Sequence, residues 1–383
     1  MKITECVSIE TAIKKIAIDE GAVLVGICSA ESIKDKKFSD PTFLLPEAQS
    51  VISIAVNQNE ESIRKYLAKE ERDSFCLESD CINKKLFAIG DKIKLFLEER
   101  GFKAFNCKIN FDYRNAKVNE TVYKALVNFV SLINKQKDKN YQLSKNEENT
   151  IKSMKKMLEI GLKQGKVDFV PEFSHRCAAE MAGLGRIGWS GNLITKKFGA
   201  RVMLTSVLTS AKLKSDTPLK KNPCEMCKLC EKVCQGGFFS KDDEKKIIIG
   251  GVEEKIGKRK SYSYCAAICG GFIGQNRFNE WSTWSPYRFE SYGLENVEKL
   301  PLDDSIDDFY QELMGRAILE GGRKAENFLK MVRTILYGLN NKLKEDYIPT
   351  CGNCQIICGP TMEEKKKSYN LLKNGGCIER GDL

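Results

Sequence analysis

Residues 224–234 read CEMCKLCEKVC, which places Cys224, Cys227, Cys230 and Cys234 in the spacing C-x2-C-x2-C-x3-C. Cysteines at this spacing ligate 4Fe-4S clusters in bacterial iron–sulfur proteins. A short loop wraps one cluster with three thiolates, and the fourth cysteine leaves on a helix toward a neighbouring cluster. The stretch therefore predicts two adjacent clusters rather than one.

A second cysteine run lies near the C-terminus, where Cys351, Cys354 and Cys358 follow the spacing C-x2-C-x3-C. The two runs together supply seven thiolates, whereas two clusters with four cysteine ligands each need eight. Cys265, in the stretch SYSYCAAICGG, is the best candidate for the eighth ligand, and Cys269 in the same stretch is its rival. Spacing thus assigns seven ligands and leaves the eighth open between these two cysteines.

We favour a crossed partition of the eight cysteines. The first cluster takes Cys224, Cys227, Cys230 and Cys358, and the second takes Cys234, Cys265, Cys351 and Cys354. Each cluster then draws on both runs, which ties the C-terminal region to the middle of the chain.

Zinc is the alternative metal, because C-x2-C pairs also build tetrahedral zinc sites. A zinc site has no use for a C-x2-C-x2-C triplet that is followed by a fourth cysteine, so we interpret the runs as cluster ligands. The proline that commonly follows each run is replaced by Gln235 and Gly359. The other eight of the 16 cysteines, Cys28 and Cys107 among them, are expected to be buried small apolar residues.

The composition favours a cytoplasmic protein that is not embedded in a membrane. No stretch approaches the roughly 20 apolar residues that span a bilayer, and the first residues lack the apolar core of a secretory signal. Clustered cysteines in a reducing compartment more often ligate metal than form disulfides. The net charge of +10 is spread over dispersed lysines. A solvated surface explains that charge better than a nucleic-acid footprint does.

Helical and strand patterns alternate over the first half of the chain, which indicates a layered α/β or α+β domain. Ser8 opens a helical periodicity over 9–17, and 86–97 repeats apolar residues at three- and four-residue spacing. The runs 22–27 and 51–56 have the length and apolar character of buried strands. Residues 133–166 are rich in lysine and polar, and we interpret them as a surface insertion.

Residues 181–199 read MAGLGRIGWSGNLITKKFG and break this rhythm with five glycines. Glycines at such spacing allow a tight turn and a close approach of the backbone to a flat ligand. The following RVMLTSVLTS returns to strand character.

Taken together, these segments resemble the corrinoid-dependent iron–sulfur reductases, the family of epoxyqueuosine reductase and the reductive dehalogenases. The resemblance lies in GAVLVGI (21–27), LPEAQSVISIAV (45–56), FSHRCAAEMAGLGRIGWSGNLITKKFGARVMLTSVLT (173–209), SYC (263–265) and CGNCQIICGP (351–360). It implies an α+β fold with a nitroreductase-like cobalamin-binding core and a ferredoxin-like double 4Fe-4S domain. The corresponding boundaries are 1–215 for the core, 216–275 with 345–383 for the cluster domain, and 276–344 for a helical connector that packs on the core.

The resemblance also implies a function. An external low-potential donor of the ferredoxin or flavodoxin type would pass electrons through the clusters to a base-off cobalamin, which reduces a small organic or nucleoside substrate. Residues matched by motif would line the corrinoid, namely Gly183, Leu184, Gly185, Ile187, Gly188 and Asn192, and by extension Thr205 and Ser206. Two alternatives remain: an epoxyqueuosine reductase acting on tRNA, and an iron–sulfur electron-transfer protein without corrinoid.

Reductive removal of a leaving group also needs a proton donor. His175 is the only histidine, which excludes any site that needs several imidazoles, and its ordinary pKa near 6.5 suits a donor at neutral pH. A structural histidine that bridges backbone groups is an equally good interpretation. Tyr113 and Asp112 are the other candidates, although the stretch DYR is also typical of a turn with an ion pair.

Overall fold

A computed structural model describes most of the chain. The described residues are 8–34, 38–107, 120–164, 173–234, 237–260, 265, 280–284, 315–316, 318–322, 325–326, 329 and 351–378. The helices are α1 Ile9–Asp19, α2 Glu60–Leu67, α3 Asp73–Glu98, α4 Glu120–Lys137, α5 Lys145–Gln164, α6 His175–Met181, α7 Leu229–Lys232, α8 Asn353–Ile356 and α9 Met362–Asn374. The strands are β1 Leu24–Ser29, β2 Ser50–Asn57, β3 Ala104–Asn106, β4 Arg186–Ile187, β5 Leu193–Ile194, β6 Val202–Thr209, β7 Phe239–Ile249 and β8 Val252–Arg259.

The first helix begins and ends where its sequence predicts. Ser8 caps α1 by accepting a 3.2 Å hydrogen bond from the backbone N–H of Thr11. Such a cap satisfies one of the amides that the first helical turn leaves without a partner. Gly21 follows the helix with φ of +93°, a conformation that glycine adopts without steric cost. The predicted helix over 9–17 is therefore confirmed.

The central sheet has the strand order β1-β2-β6-β3, and each neighbouring pair is antiparallel. β2 shows why the sheet is buried on both sides. Ile52 and Ile54 face a core built with α1 and α3, whereas Val51 and Ala55 face a second core built with α6. Mixed helix and sheet content agrees with the α+β prediction, and both sides of β2 are covered.

Helices α4 and α5 occupy the region predicted as a lysine-rich surface insertion. They pack around their own small core, which includes Phe129, Ile133 and Ile151, and residues from 318–329 complete it. The Lys135 side chain forms an ion pair with Glu147 at 3.4 Å, which joins the two helices. Much of the charge on this segment is therefore solvated helix surface.

Strands β7 and β8 form a long antiparallel hairpin that the sequence analysis did not predict. Its turn is Gly250–Gly251, with φ of +55° and +80°. Positive φ at both central residues is typical of the tight turns that suit the twist of a hairpin. Ile249 and Ile256 pack into the core beside α6, so the hairpin belongs to the body of the protein.

The two cysteine runs meet in one apolar cluster next to the sheet domain. Val233, from the first run, packs with Ile356 and Ile357, from the second, and Trp281 lies in the same cluster. Trp281 is buried in this cluster. No helix among the described residues is long and apolar enough to cross a bilayer.

Candidate metal centre

The first site is a cavity into which both cysteine runs contribute. Its lining residues are Trp189, Ser190, Ile194, Cys224, Glu225, Cys227, Lys228, Leu229, Cys230, Ile357, Cys358 and Lys365. The four cysteines among them are those that the sequence analysis assigned to the first cluster. Cys224, Cys227 and Cys358 are half-buried and Cys230 is buried, so the site lies close to the surface.

The thiols of this first site lie close enough to repel one another as thiolates. Burial raises the pKa of Cys230, and the neighbouring Cys354, Cys358, Cys224 and Cys227 raise it further. Burial also raises the pKa of Cys358 to about 11, where Lys365 acts in the opposite direction and Cys224 and Cys227 add to the rise.

A second group of thiols surrounds Cys354. Burial raises the pKa of Cys354, and the charges of Cys351, Cys265 and Cys234 raise it further, while Arg176 lowers it. Cys265 and Cys234 both pack against Phe238 and Phe239. Cys265 thus lies beside the candidate ligands of the second site, whereas its rival Cys269 lies outside the described residues.

The number and burial of these thiols bear on which metal group they would hold. Among the described residues, no three cysteine, histidine or carboxylate side chains converge tightly enough to share one metal ion. A zinc ion requires its ligand atoms at about 2.0–2.3 Å from one point. Buried thiols that raise one another's pKa also favour a bound cation, because coordination to a metal deprotonates a thiol outright. Two groups of four thiols fit 4Fe-4S clusters.

The glycine-rich segment positions the first cysteine run. The backbone N–H of Trp189 donates to the Cys224 sulfur at 3.4 Å, and a Cβ atom on Gly188 would lie 3.0 Å from that sulfur. Asn222 accepts from the backbone N–H of Cys224 at 2.8 Å. The Trp189 indole N–H donates to the Glu231 carboxylate at 2.9 Å, which fastens the loop to α7.

The same segment positions the second run. Ala200 donates its backbone N–H to the carbonyl oxygen of Cys358 at 2.8 Å. Arg201 is buried, and its guanidinium donates to the Ile356 carbonyl at 2.7 Å and to the Ser368 hydroxyl at 2.6 Å. These contacts join the start of β6 to the loop that carries the C-terminal cysteines.

A buried lysine faces the first site. The Lys365 side chain is 3% exposed and forms an ion pair with Glu225. Its position on α9 among the four cysteines places a positive charge where a cluster would carry negative charge.

The residues predicted to line a corrinoid are packed against protein atoms. Seven of the eight are buried, and Gly183 is half-buried. Added Cβ atoms would lie 2.6 Å from the Thr217 carbonyl oxygen at Gly183 and 2.5 Å from the Ile194 carbonyl oxygen at Gly185. Asn192 points its amide toward Cys354, 4.0 Å from the sulfur. The glycines are thus explained by close approach of protein backbone, and a corrinoid contact at these positions stays a prediction.

His175 lies at the start of α6, and its Nδ1 forms a 3.0 Å hydrogen bond with the Ser206 hydroxyl on β6. This bond fixes the orientation of the imidazole ring. The ring is half-buried and meets Phe173 edge to face at 5.9 Å. Its role as a proton donor stays a prediction, and the other two candidates, Tyr113 and Asp112, lie outside the described residues.

The sequence analysis missed Trp189, Arg201 and Lys365 as supports of the site. Trp189 lies within the glycine-rich segment 181–199, and Arg201 follows that segment by two residues. The spacing of the glycines does not indicate a role for either larger side chain. Lys365 follows Cys358 by seven residues and lies in the first turn of α9, and only the observed packing of α9 shows that this lysine turns inward.

Comparison with known proteins gives local matches. No protein-family model matches the chain. An epoxyqueuosine reductase of Atelocyanobacterium thalassa is 48% identical over 56 residues, which are 15% of this chain and 18% of that protein. A tetrachloroethene reductive dehalogenase of Desulfitobacterium hafniense is 37% identical over 73 residues, 18% of this chain and 13% of that protein.

The matches therefore span less than a fifth of either relative's length. A solved structure of a reductive dehalogenase aligns with 85% of this chain and 39% of its own, with a TM-score of 0.41 and 15% identity. Over these short stretches the chain is similar to epoxyqueuosine reductase and to a reductive dehalogenase, both of which are reductases.

Proposed function

We propose that the chain is an oxidoreductase with two 4Fe-4S clusters. The first is held by Cys224, Cys227, Cys230 and Cys358, and the second by Cys234, Cys265, Cys351 and Cys354. The observation that carries this proposal is the crossing of the two runs. Cys358 of the C-terminal run lines one cavity with Cys224, Cys227 and Cys230. Cys354 lies near Cys351, Cys265 and Cys234, and it also lies near Cys230 of the first site.

Clusters of this type transfer single electrons at potentials that depend on hydrogen bonds to sulfur, nearby charge and solvent exposure. The described residues supply hydrogen bonds to sulfur and a nearby positive charge. Trp189 donates a backbone N–H to Cys224, and Phe238 donates one to Cys234 at 3.3 Å. Lys365 adds a buried positive charge beside the first site. An external ferredoxin- or flavodoxin-type donor would supply the electrons.

The substrate class follows from the relatives. Both are named as reductases of organic molecules, one of a modified nucleoside and one of a chlorinated alkene. We infer that this chain also reduces a small organic or nucleoside substrate. The match to epoxyqueuosine reductase keeps tRNA as a candidate partner, and the queuosine content of tRNA from a deletion strain tests that alternative.

Cobalamin is the finer part of the functional proposal. The Cβ directions of Gly183, Gly185 and Gly188 face protein atoms, so these glycines are accounted for by packing and supply no observation of a cofactor cradle. We therefore derive no chemistry through a corrinoid. The second candidate function is an iron–sulfur electron-transfer protein without corrinoid.

One experiment separates these functions. The protein is reconstituted anaerobically with iron and sulfide, then incubated with hydroxocobalamin and desalted, and iron and cobalt are counted per chain. About eight irons per chain is expected for two 4Fe-4S clusters. Stoichiometric cobalt supports the corrinoid reductase, whereas eight irons without cobalt supports the corrinoid-free alternative. Four irons or fewer would contradict both.

A further inference from the structure

Glu180, Arg186 and Glu254 form a buried charge cluster that the proposed function does not use. Their exposed fractions are 0%, 9% and 4%. They come from α6, β4 and β8, so the cluster joins the core to the hairpin. Charged residues are almost never fully buried unless they are paired, which makes three together a feature that needs an explanation.

Both carboxylates bind the same guanidinium nitrogen. Arg186 Nε lies 3.0 Å from Glu180 Oε1 and also forms a hydrogen bond with Glu254 Oε1. Arg186 Nη1 donates to the Leu219 carbonyl at 2.7 Å. Two carboxylates bound to one nitrogen adjoin each other, as in acid pairs that share a proton.

The charges do not balance when both carboxyl groups are ionised. Two negative charges then face one positive charge, and Glu180 Oε2 has no hydrogen-bond partner in the described part of the chain. An uncompensated buried charge is costly, so the pair retains one proton instead. Burial raises the pKa of Glu180 to about 8, and hydrogen bonding and repulsion from Glu254 add to the rise, while Arg186 opposes it.

Hydrogen bonds of Asn222 connect the charge cluster to the first cysteine site. Asn222 Nδ2 donates to Glu254 Oε2 at 2.8 Å, and Asn222 Oδ1 accepts from the Cys224 backbone N–H at 2.8 Å. Asn222 also donates to the Ile187 carbonyl at 2.8 Å. One amide side chain thus separates the carboxyl pair from the peptide of a candidate cluster ligand.

Few other titratable groups lie on the strands packed against α6. Those strands are β1, β2, β4, β5 and β6, and beyond Arg186 they contribute Cys28 alone. Burial raises the pKa of Cys28 to about 12, which keeps that thiol neutral. On α6 itself, His175 bonds to Ser206, Arg176 donates to the Gly191 carbonyl at 3.0 Å, and the buried Cys177 accepts from the Ser174 hydroxyl at 3.2 Å. The turn Ala30–Ile33, which also packs against α6, carries Glu31 in a 2.8 Å ion pair with Lys34. Beside Glu254 on β8, Glu253 and Lys255 form ion pairs with Lys246 and Glu244. Of these groups, Glu180 and Glu254 are the two that bind the Arg186 guanidinium.

We propose that the Glu180–Glu254 pair is a redox-linked proton site for the group held by the Cys224 loop. At alkaline pH, where the oxidised protein has released the pair's shared proton, the pair takes up one proton from solvent when that group accepts one electron from the external donor, and it releases the proton on reoxidation. Proton uptake offsets the negative charge that each electron brings into this low-dielectric region. The inference rests on the proposed function, because it requires a cluster at the first site.

The test is a redox titration of the reconstituted protein, followed by EPR, from about pH 6 to about pH 10, a range that brackets the raised carboxyl pKa. The midpoint potential of the first cluster should be flat below about pH 7. It should fall above about pH 8 with a slope approaching 59 mV per pH unit for one electron and one proton. Because the second cluster is ligated apart from this network, its potential provides an internal reference.

Glu180→Gln and Glu254→Gln should each flatten the pH dependence, since neither variant keeps two carboxyl groups that can share a proton beside Arg186. Glu231→Gln removes a carboxylate near the same loop but outside the pair, so its slope should remain. The inference is overturned if the midpoint potential of the first cluster in the wild-type protein does not depend on pH. It is also overturned if the pH slope of that potential persists in Glu180→Gln. The wild-type titration decides the question even if a variant folds poorly. Absence of any cluster signal at the first site contradicts the proposed function instead.

Discussion

The backbone N–H of Ala200 donates to the carbonyl oxygen of Cys358 at 2.8 Å, and the preceding Gly199 has no room for a side chain. A Cβ atom on Gly199 would lie 2.1 Å from that carbonyl oxygen, and φ at Gly199 is +57°. Backbone from the sheet domain thus touches backbone of the C-terminal cysteine run. This contact explains why a glycine stands between the lysine pair and β6.

Gly199→Ala should therefore displace Cys358 and lower the iron content of the reconstituted protein, with the loss confined to the first cluster. Gly101→Ala is the matched control, because Gly101 also has a positive φ, +80°, but nothing lies within 4 Å of its added Cβ. The control carries the backbone strain without the clash. Equal iron loss in the two variants would show that strain, and not the contact with Cys358, is responsible.

Arg201→Met should lower the free energy of unfolding by about 3 kcal/mol, because two buried acceptors lose a charged donor. Those acceptors are the Ile356 carbonyl and the Ser368 hydroxyl. Denaturant unfolding of the holoprotein under anaerobic conditions measures the change. Glu60→Gln is the control: this ion-pair partner of Arg201 is 61% exposed, so a change within about 1 kcal/mol is expected. A similar loss in both variants would contradict the account.

Lys365→Met should lower the midpoint potential of the first cluster. A buried positive charge stabilises the reduced, more negative cluster, so its removal favours the oxidised form. Lys365→Arg keeps the charge and should stay near the wild-type value. Glu225→Gln should shift the potential upward, because the carboxylate that neutralises Lys365 is lost. EPR-monitored titration measures all three. A shift of the second cluster alone would place Lys365 at the wrong site.

Glu180 should make the protein less stable as pH rises from about 4.5 to about 8. In this range the buried carboxyl keeps its proton in the folded state, whereas in the unfolded chain, with a pKa near 4.5, it has released it. The unfolded state then binds fewer protons than the folded state, so the unfolding free energy falls with pH. Glu180→Gln should remove this decline. Thermal unfolding of both proteins at pH 5 and pH 8 measures it, and parallel declines would exclude Glu180 as the source.

Local patterns in the sequence predicted much of the sheet domain. Ser8 and Gly21 bracket α1 as expected, and the apolar runs at 22–27 and 51–56 correspond to β1 and β2. These signals depend on neighbouring residues, so they can be interpreted from the chain alone. Cys28, Cys107 and Cys177 are buried, as expected for cysteines outside the two runs. The same prediction is wrong at Cys81, which is exposed, and at Cys76 and Cys377, which are half-buried.

The β7–β8 hairpin was missed because its strands are dominated by charged residues that hide the alternation. Its Gly250–Gly251 pair is nevertheless a recognised two-residue hairpin turn and was the available signal. The charge cluster on Arg186 could not be predicted, because Glu254 reaches Arg186 only through the fold of that hairpin. The glycines of the 181–199 segment were interpreted as a ligand cradle, since sequence does not say whether a glycine faces a ligand or another backbone.

The pairing of Cys358 with the first run is the central claim, and metal analysis of single cysteine variants tests it most directly. Cys227→Ala, Cys358→Ala and Cys354→Ala are reconstituted anaerobically, reduced, and compared by iron content and EPR. Cys358→Ala should lose the same cluster signal as Cys227→Ala, and Cys354→Ala should lose the other signal, because Cys358 lies with Cys227 while Cys354 lies with Cys265. The crossed partition would be contradicted if Cys358→Ala and Cys354→Ala lost the same cluster signal and Cys227→Ala lost the other one.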